Sequence, residues 1–184
     1  MSVMFVPADR RRRDYKNIRK LYYEAFPPEE RAPFRLLELK SRRKNVDFWS
    51  ILDDRRWAGF MYVVNHEDMS YIFYLATAPD VRQKGIGSAA LRLAAKHYAG
   101  RRLFLAEEPV YESAENFHER EKRREFYLSN GFQDLGSTVI EGGVTFELLG
   151  IGGKVSGEEY LALFREYLGR VLFRLIDIRY GEED

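Results

Sequence analysis

Between Pro79 and Leu91 the chain reads PDVRQKGIGSAAL: long polar side chains, a Gly-Ile-Gly, then small and apolar residues at helical spacing. No other segment narrows the fold so far. A helix N-terminus leaves backbone amides unpaired and carries partial positive charge, so it attracts anions. Gly85 and Gly87 remove the side chains that would keep a diphosphate from the amides of residues 83 to 88. Arg82 and Lys84 add full charges, and Ser88 adds a hydroxyl. The competing reading is a solvated turn opening a core helix, and Gly-x-Gly alone does not choose between the two.

The context around that loop is alternating. A short apolar strand, Val3 to Val6, precedes a helix that Asp9 can cap, with Tyr15, Ile18, Leu21, Tyr22 and Ala25 on its inner face and Pro27-Pro28 as its stop. A second short helix is expected from Pro33 to about Arg43. VDFWSILDD, RWAGFMYVVNHED and MSYIFYLATA are runs of aromatic and β-branched residues separated by short polar turns, the pattern of an antiparallel meander. The helix from Gly85 to Ala99 and the strand RLFLA follow, so that strand, helix and strand form a right-handed crossover. Gly131 suits the left-handed position after a helix, Gly142-Gly143 a hairpin turn, and Ser156 with Glu159 a capping box for a helix through Tyr167. VLFRLIDI reads as a closing strand.

A chain of 184 residues with 45% hydrophobic and 15% aromatic side chains can bury one core. Its formal net charge of +1 gives no general affinity for nucleic acid or membrane, and the Arg10 to Arg13 run reads as a solvated face. With no cysteine there is no disulfide or thiolate chemistry, and a reducing cytoplasm fits. The N-terminal apolar stretch is too short for a signal sequence and no run approaches a membrane span of about 20 residues, so the chain reads as soluble and unprocessed. His66, His97 and His118 show no metal-ligand spacing, and no metal is expected.

Gly85, Gly87 and Ala90 also satisfy the dinucleotide pattern Gly-x-Gly-x-x-Gly/Ala, with Glu107 about 20 residues on. That pattern places its glycines directly after a strand, whereas here TAPDVRQK intervenes. A Walker loop is excluded because no Gly-Lys-Ser/Thr occurs.

LATAPDVRQKGIGSAAL resembles the acetyl-CoA signature of the GNAT acetyltransferase superfamily, Arg/Gln-x-x-Gly-x-Gly/Ala, here Arg82 through Gly87. RREFYLSNGF is similar to the following helix and strand of that family. The resemblance covers roughly Met1 to Leu149, and implies a mixed α/β (α+β) fold with a mostly antiparallel central sheet flanked by helices. Residues 1–149 would form the acetyl-CoA-binding domain, and residues 150–184 a helix-strand extension packed on it. In this family Arg82, Gln83, Lys84, Gly85, Ile86, Gly87 and Ser88 would hold the diphosphate of the cosubstrate acetyl-CoA. Leu75, Ala76 and Thr77 would pair with the pantetheine arm like an added strand, and an amide near Leu75 or Ala76 would face the thioester oxygen.

Tyr127 matches the family position of the acid that protonates the departing thiolate. The family's frequent strand glutamate is missing from YIFYLAT, which leaves Glu107 or Glu108, at the end of the next strand, as the candidate base through water. Glu29 and Glu30 lie where the family forms one wall of the acceptor site. Arg120 stands where many relatives have an asparagine that contacts the coenzyme. The expected activity is transfer of acetyl to a primary amine of a small molecule or peptide, with cationic acceptors favoured and a homodimer compatible. A non-catalytic acyl-CoA-binding module and a nucleic-acid-associated protein are the alternatives.

Overall fold

A computed structural model describes residues 2–11 and 14–182. Arg12 and Arg13 of the arginine run lie outside the described residues. The chain forms two compact units, one running to Asn65 and taking in Ile72–Ala99, the other made of His66–Tyr71 and the chain from Gly100 onward.

The first unit contains β1 (Val3–Pro7), α1 (Tyr15–Ala25), α2 (Phe34–Lys40), β2 (Val46–Asp53), β3 (Arg56–His66), most of β4 (Met69–Thr77) and α3 (Ile86–His97). Its strands lie in the order β1-β2-β3-β4, and the β1–β2 and β2–β3 pairs are antiparallel. Alternation along β2 separates two faces. Phe48 points to an aromatic cluster with Tyr15, Phe34, Phe60 and Tyr62, which Tyr22, Phe26 and Tyr74 extend. Edge-to-face pairs of this kind add about 0.5–1.5 kcal/mol each beyond their buried area. Trp49 points the other way, donating from its indole to the Tyr98 hydroxyl at 3.0 Å, and Tyr98 donates in turn to Asp47.

Gly59 on β3 is required by close approach. A Cβ there would stand 2.2 Å from the Ala76 carbonyl oxygen of β4, closer than any side chain is tolerated.

The second unit contains β5 (Arg102–Glu107), α4 (Phe117–Ser129), β6 (Gln133–Glu141), β7 (Val144–Ile151), α5 (Gly157–Leu168), α6 (Arg170–Leu175) and β8 (Ile178–Glu182). Its strands run β5-β7-β6-β8, antiparallel at each pair. Across both units the architecture is the expected mixed α/β one, with mostly antiparallel strands flanked by helices. Gly142 and Gly143 take φ of 61° and 91° in the β6–β7 turn, and Ser156 and Glu159 form both halves of the capping box on α5. Arg102 joins Asp68, Glu159 and the Lys154 carbonyl, and its guanidinium holds the Glu159 carboxyl down at about 2.

Two expectations are corrected. Asp9 does not cap α1: its carboxylate accepts from the Arg11 amide in a local turn, and the helix starts at Tyr15 with Asp14 at the N-cap position. VLFRLIDI is not one strand, because Gly169, at φ 80°, turns the chain into α6 and only Ile178–Glu182 pairs with β6. A run this short, mostly apolar with Arg174 and Asp177 inside it, is compatible with either a short helix or a strand. No helix among the described residues is long and apolar enough to cross a membrane.

Beneath α5, Tyr71 stacks on Phe104 and packs against Phe164, while Tyr71 and Tyr160 both donate to Glu141 at 2.5 Å. The carboxyl end of Glu141 is enclosed although the residue as a whole is partly exposed, and burial raises its pKa from 4.5 to about 7 against the pull of the two hydroxyls. A raised folded-state value means that its stabilising contribution is complete below the ordinary carboxylate range and is lost as pH rises through about 7. A difference of this size is worth about 3 kcal/mol. Melting temperature should therefore fall as pH rises from about 4.5 to about 7, by several degrees at about 2–4 °C per kcal/mol, and level off above that. Glu107 is raised to about 7 as well and adds its own fall, so Glu141→Gln should make the slope shallower without abolishing it, and an equally steep slope in the variant would show that Glu141 does not titrate there.

Candidate active site

The loop Arg82–Ser88 joins a 3₁₀ turn, Pro79–Val81, to α3. Gln83 and Gly85 both take left-handed φ, 61° and 76°, which curls the backbone before the helix starts. Buried Ile86 anchors the helix, and its first internal bond runs from the Ala89 amide to the Gly85 carbonyl. The amides of Ile86 and Gly87 therefore point out of the helix end. Arg82, Gln83 and Lys84 are exposed around it. Lys84 reaches the Asp80 carbonyl at 2.7 Å, and the Arg82 Nε lies 3.4 Å from the Thr77 carbonyl. A curled loop, outward amides and two cations make an anion cradle.

Leu75, Ala76 and Thr77 end β4 in the same unit, with Ala76 buried and its neighbours partly so. Glu29 and Glu30 occupy a 3₁₀ turn, Pro28–Glu30, that is tied to β4 by Tyr74. The Tyr74 hydroxyl donates to the Glu30 carbonyl at 3.0 Å and accepts from the Ala32 amide at 2.9 Å, while Tyr22 donates to the Ala32 carbonyl. The FPPEERAPF segment is thus pinned one residue from Leu75. The Glu29 side chain is exposed, and Arg31 packs over the Tyr23 ring at 5.1 Å.

Glu107, Glu108 and Tyr127 lie in the second unit. Tyr127 sits half-buried in the last turns of α4, its ring 6.0 Å from that of Phe132. The Phe132 amide closes on the Tyr127 carbonyl, so the Asn-Gly-Phe turn, with Gly131 at φ 90°, fixes the end of the helix that carries it. Glu108 accepts from Arg120 at 2.5 Å and from Arg123 and Asn116 at 3.4 Å. Arg120 is committed to this pair, to Asn116 and to the Pro109 carbonyl. Glu107 is only 2% exposed. Its Oε1 accepts from Arg124 at 3.2 Å, and its Oε2 is buried with no hydrogen-bond partner. Burial raises its pKa from 4.5 to about 7, helped by the nearby carboxylates Glu147 and Asp134 and opposed by Arg124 and Arg123. Glu107 is thereby poised to exchange a proton near neutral pH.

Arg124 and Tyr74 were not singled out from the sequence. The spacing of Arg120, Arg123 and Arg124 on one helix face was the available signal for the first. Tyr74 carried none, because its partners are backbone groups more than forty residues away.

The sequence profile of the Acetyltransferase (GNAT) family matches residues 15–122, more than half of the chain. No curated protein matches the sequence. Among solved structures, a putative GNAT-family acetyltransferase from Bacteroides thetaiotaomicron superposes with a TM-score of 0.68 at 21% identity, over 94% of this chain and 98% of that one. An aminoglycoside 6'-N-acetyltransferase complexed with coenzyme A gives 0.60 at 16% identity, over 82% and 96%. The ribosomal-protein-S18-alanine N-acetyltransferase from Escherichia coli gives 0.58 at 14%, over 85% and 97%. Their named acceptors differ, an aminoglycoside and a protein alanine, so the shared fold leaves the acceptor open. With the glycine loop at the head of α3, the profile match and this fold, the chain belongs to the GNAT family and is an acetyltransferase.

Proposed function

We propose that the protein moves the acetyl group of acetyl-CoA directly onto a primary amine, and that the acceptor is cationic. The observation that carries the donor half is the anion cradle at the start of α3, where Arg82, Lys84 and the amides of Ile86 and Gly87 would bind the diphosphate. Leu75, Ala76 and Thr77 would receive the pantetheine arm, with a backbone amide there stabilising the oxyanion. The neutral amine attacks the thioester carbonyl carbon, forming the C–N bond, and collapse of the tetrahedral intermediate breaks the C–S bond. Tyr127 donates its proton to the departing thiolate. The proton lost by the amine passes through water to Glu107, whose elevated pKa suits that task.

The charge of the acceptor is argued from the exposed carboxylates between the end of β5 and the first turn of α4, and from exposed Glu29 on the FPPEERAPF turn. Glu108 is already paired with Arg120 and Arg123, so Glu112, Glu115, Glu119 and Glu29 are the carboxylates open to solvent that would draw a cation.

The test is kcat/KM for acetyl-CoA-dependent acetylation of acceptors of graded charge: a polyamine, an aminoglycoside, a lysine-like amine, a neutral amine and an anionic amino acid. Cationic acceptors should lead by at least tenfold at low salt, and the lead should shrink as salt rises. A preference for the anionic acceptor would remove the cationic reading while leaving acetyl transfer intact.

A further inference from the structure

Helix α4 carries Tyr127 but buries none of its residues, and seven of its thirteen are charged. An amphipathic helix normally seats itself by an apolar stripe. Here the seat is ionic. Arg120, Arg123 and Arg124 lie at i, i+3 and i+4 on one face and meet four carboxylates: Glu107 and Glu108 at the end of β5, Asp134 on β6 and Glu147 on β7. Arg120 and Glu108 are each 12% exposed at the side chain and Glu107 1%, while Asp134 is the open end of the network at 46%. Glu107 and Glu147 are direct cross-strand partners in the β5–β7 register, so two like charges face each other, and Arg124 Nη1 bridges them. Its Nη2 goes to Asp134.

We infer that this arginine clamp, and Arg124 above all, is the positioning device for Tyr127. Arg124 stands one helical turn before Tyr127, so the three carboxylates that fix its guanidinium also fix the rotation and depth of the helix end that presents the phenol. Charge-assisted, forked bonds define orientation more sharply than apolar packing does. Shielded pairs of this kind are costly to break, because removing one partner strands the other. The inference rests on the reading of Tyr127 as the acid of the transfer reaction.

A double-mutant cycle tests it. Arg124→Gln should lower kcat about tenfold while leaving the dissociation constant for acetyl-CoA within about twofold, and Arg124→Lys should recover part of the loss. In a Tyr127→Phe background the same Arg124→Gln change, with kcat read on the high-pH plateau where Glu107 is ionised in both proteins, should have little further effect, because the hydroxyl it would misplace is gone. A merely structural arginine predicts additive losses in both backgrounds, and additivity, or an unchanged kcat in Arg124→Gln, would overturn the inference. Full kcat in Tyr127→Phe alone would instead remove the acid from Tyr127 and the clamp's purpose with it. Should Arg124→Gln fail to fold, Glu147→Gln, which keeps an oxygen for Arg124, carries the same cycle.

Discussion

Tyr127→Phe should lower kcat by about 10²-fold or more, with acetyl-CoA binding and melting temperature almost unchanged. The ring, packed near Phe126 and Phe132, keeps these neighbours in the variant. The loss should grow with the basicity of the leaving thiolate and shrink for activated thioesters, whose leaving groups need no acid. Single-turnover measurements separate the chemical step from product release. Full activity on acetyl-CoA in this variant, under conditions where chemistry limits the rate, would place the acid elsewhere.

What the amino-acid order disclosed follows from the range of the forces involved. Signals that act over a few residues were legible: Ser156 and Glu159 cap α5, Gly131 ends α4, Gly142-Gly143 turns the last hairpin, and Gly85 opens α3 in a left-handed conformation. Each is a backbone requirement met by a neighbouring side chain or by the lack of one. The curled loop before α3, with Gln83 and Gly85 in left-handed conformations, belongs to this class.

Features made by distant partners were not legible. Glu107 and Glu108 are adjacent and chemically identical, and only the structure separates them: one meets Arg120 and Arg123, the other keeps an unpartnered buried oxygen beside Arg124. Arg120 was noted as a departure from the family pattern, and its burial against Glu108 supplies a reason for it. Gly59 looked like an ordinary strand glycine, yet its bare Cα lets β3 approach the Ala76 carbonyl. The run after Gly169 reads as a strand although Arg170, Arg174 and Asp177 fall at helical spacing, and α6 exposes Val171 and Leu175 at 73% and 75%. In the arginine run, Arg10 is held by Glu38 at 2.6 Å, a contact between side chains twenty-eight positions apart.

The central claim is that the loop from Arg82 to Ser88 binds the diphosphate of acetyl-CoA, and thermal stability with and without acetyl-CoA tests it most directly. Ligand at 100 times its dissociation constant adds about 2.7 kcal/mol, a rise of roughly 5–10 °C for a chain of this size. Gly87→Val places a branched side chain among the amides of the first turn of α3, where the phosphates would approach. The account predicts a variant that melts near the wild type without ligand and gains no more than a degree or two from acetyl-CoA. An undiminished shift in Gly87→Val, or a wild-type protein that acetyl-CoA does not stabilise at all, would contradict it.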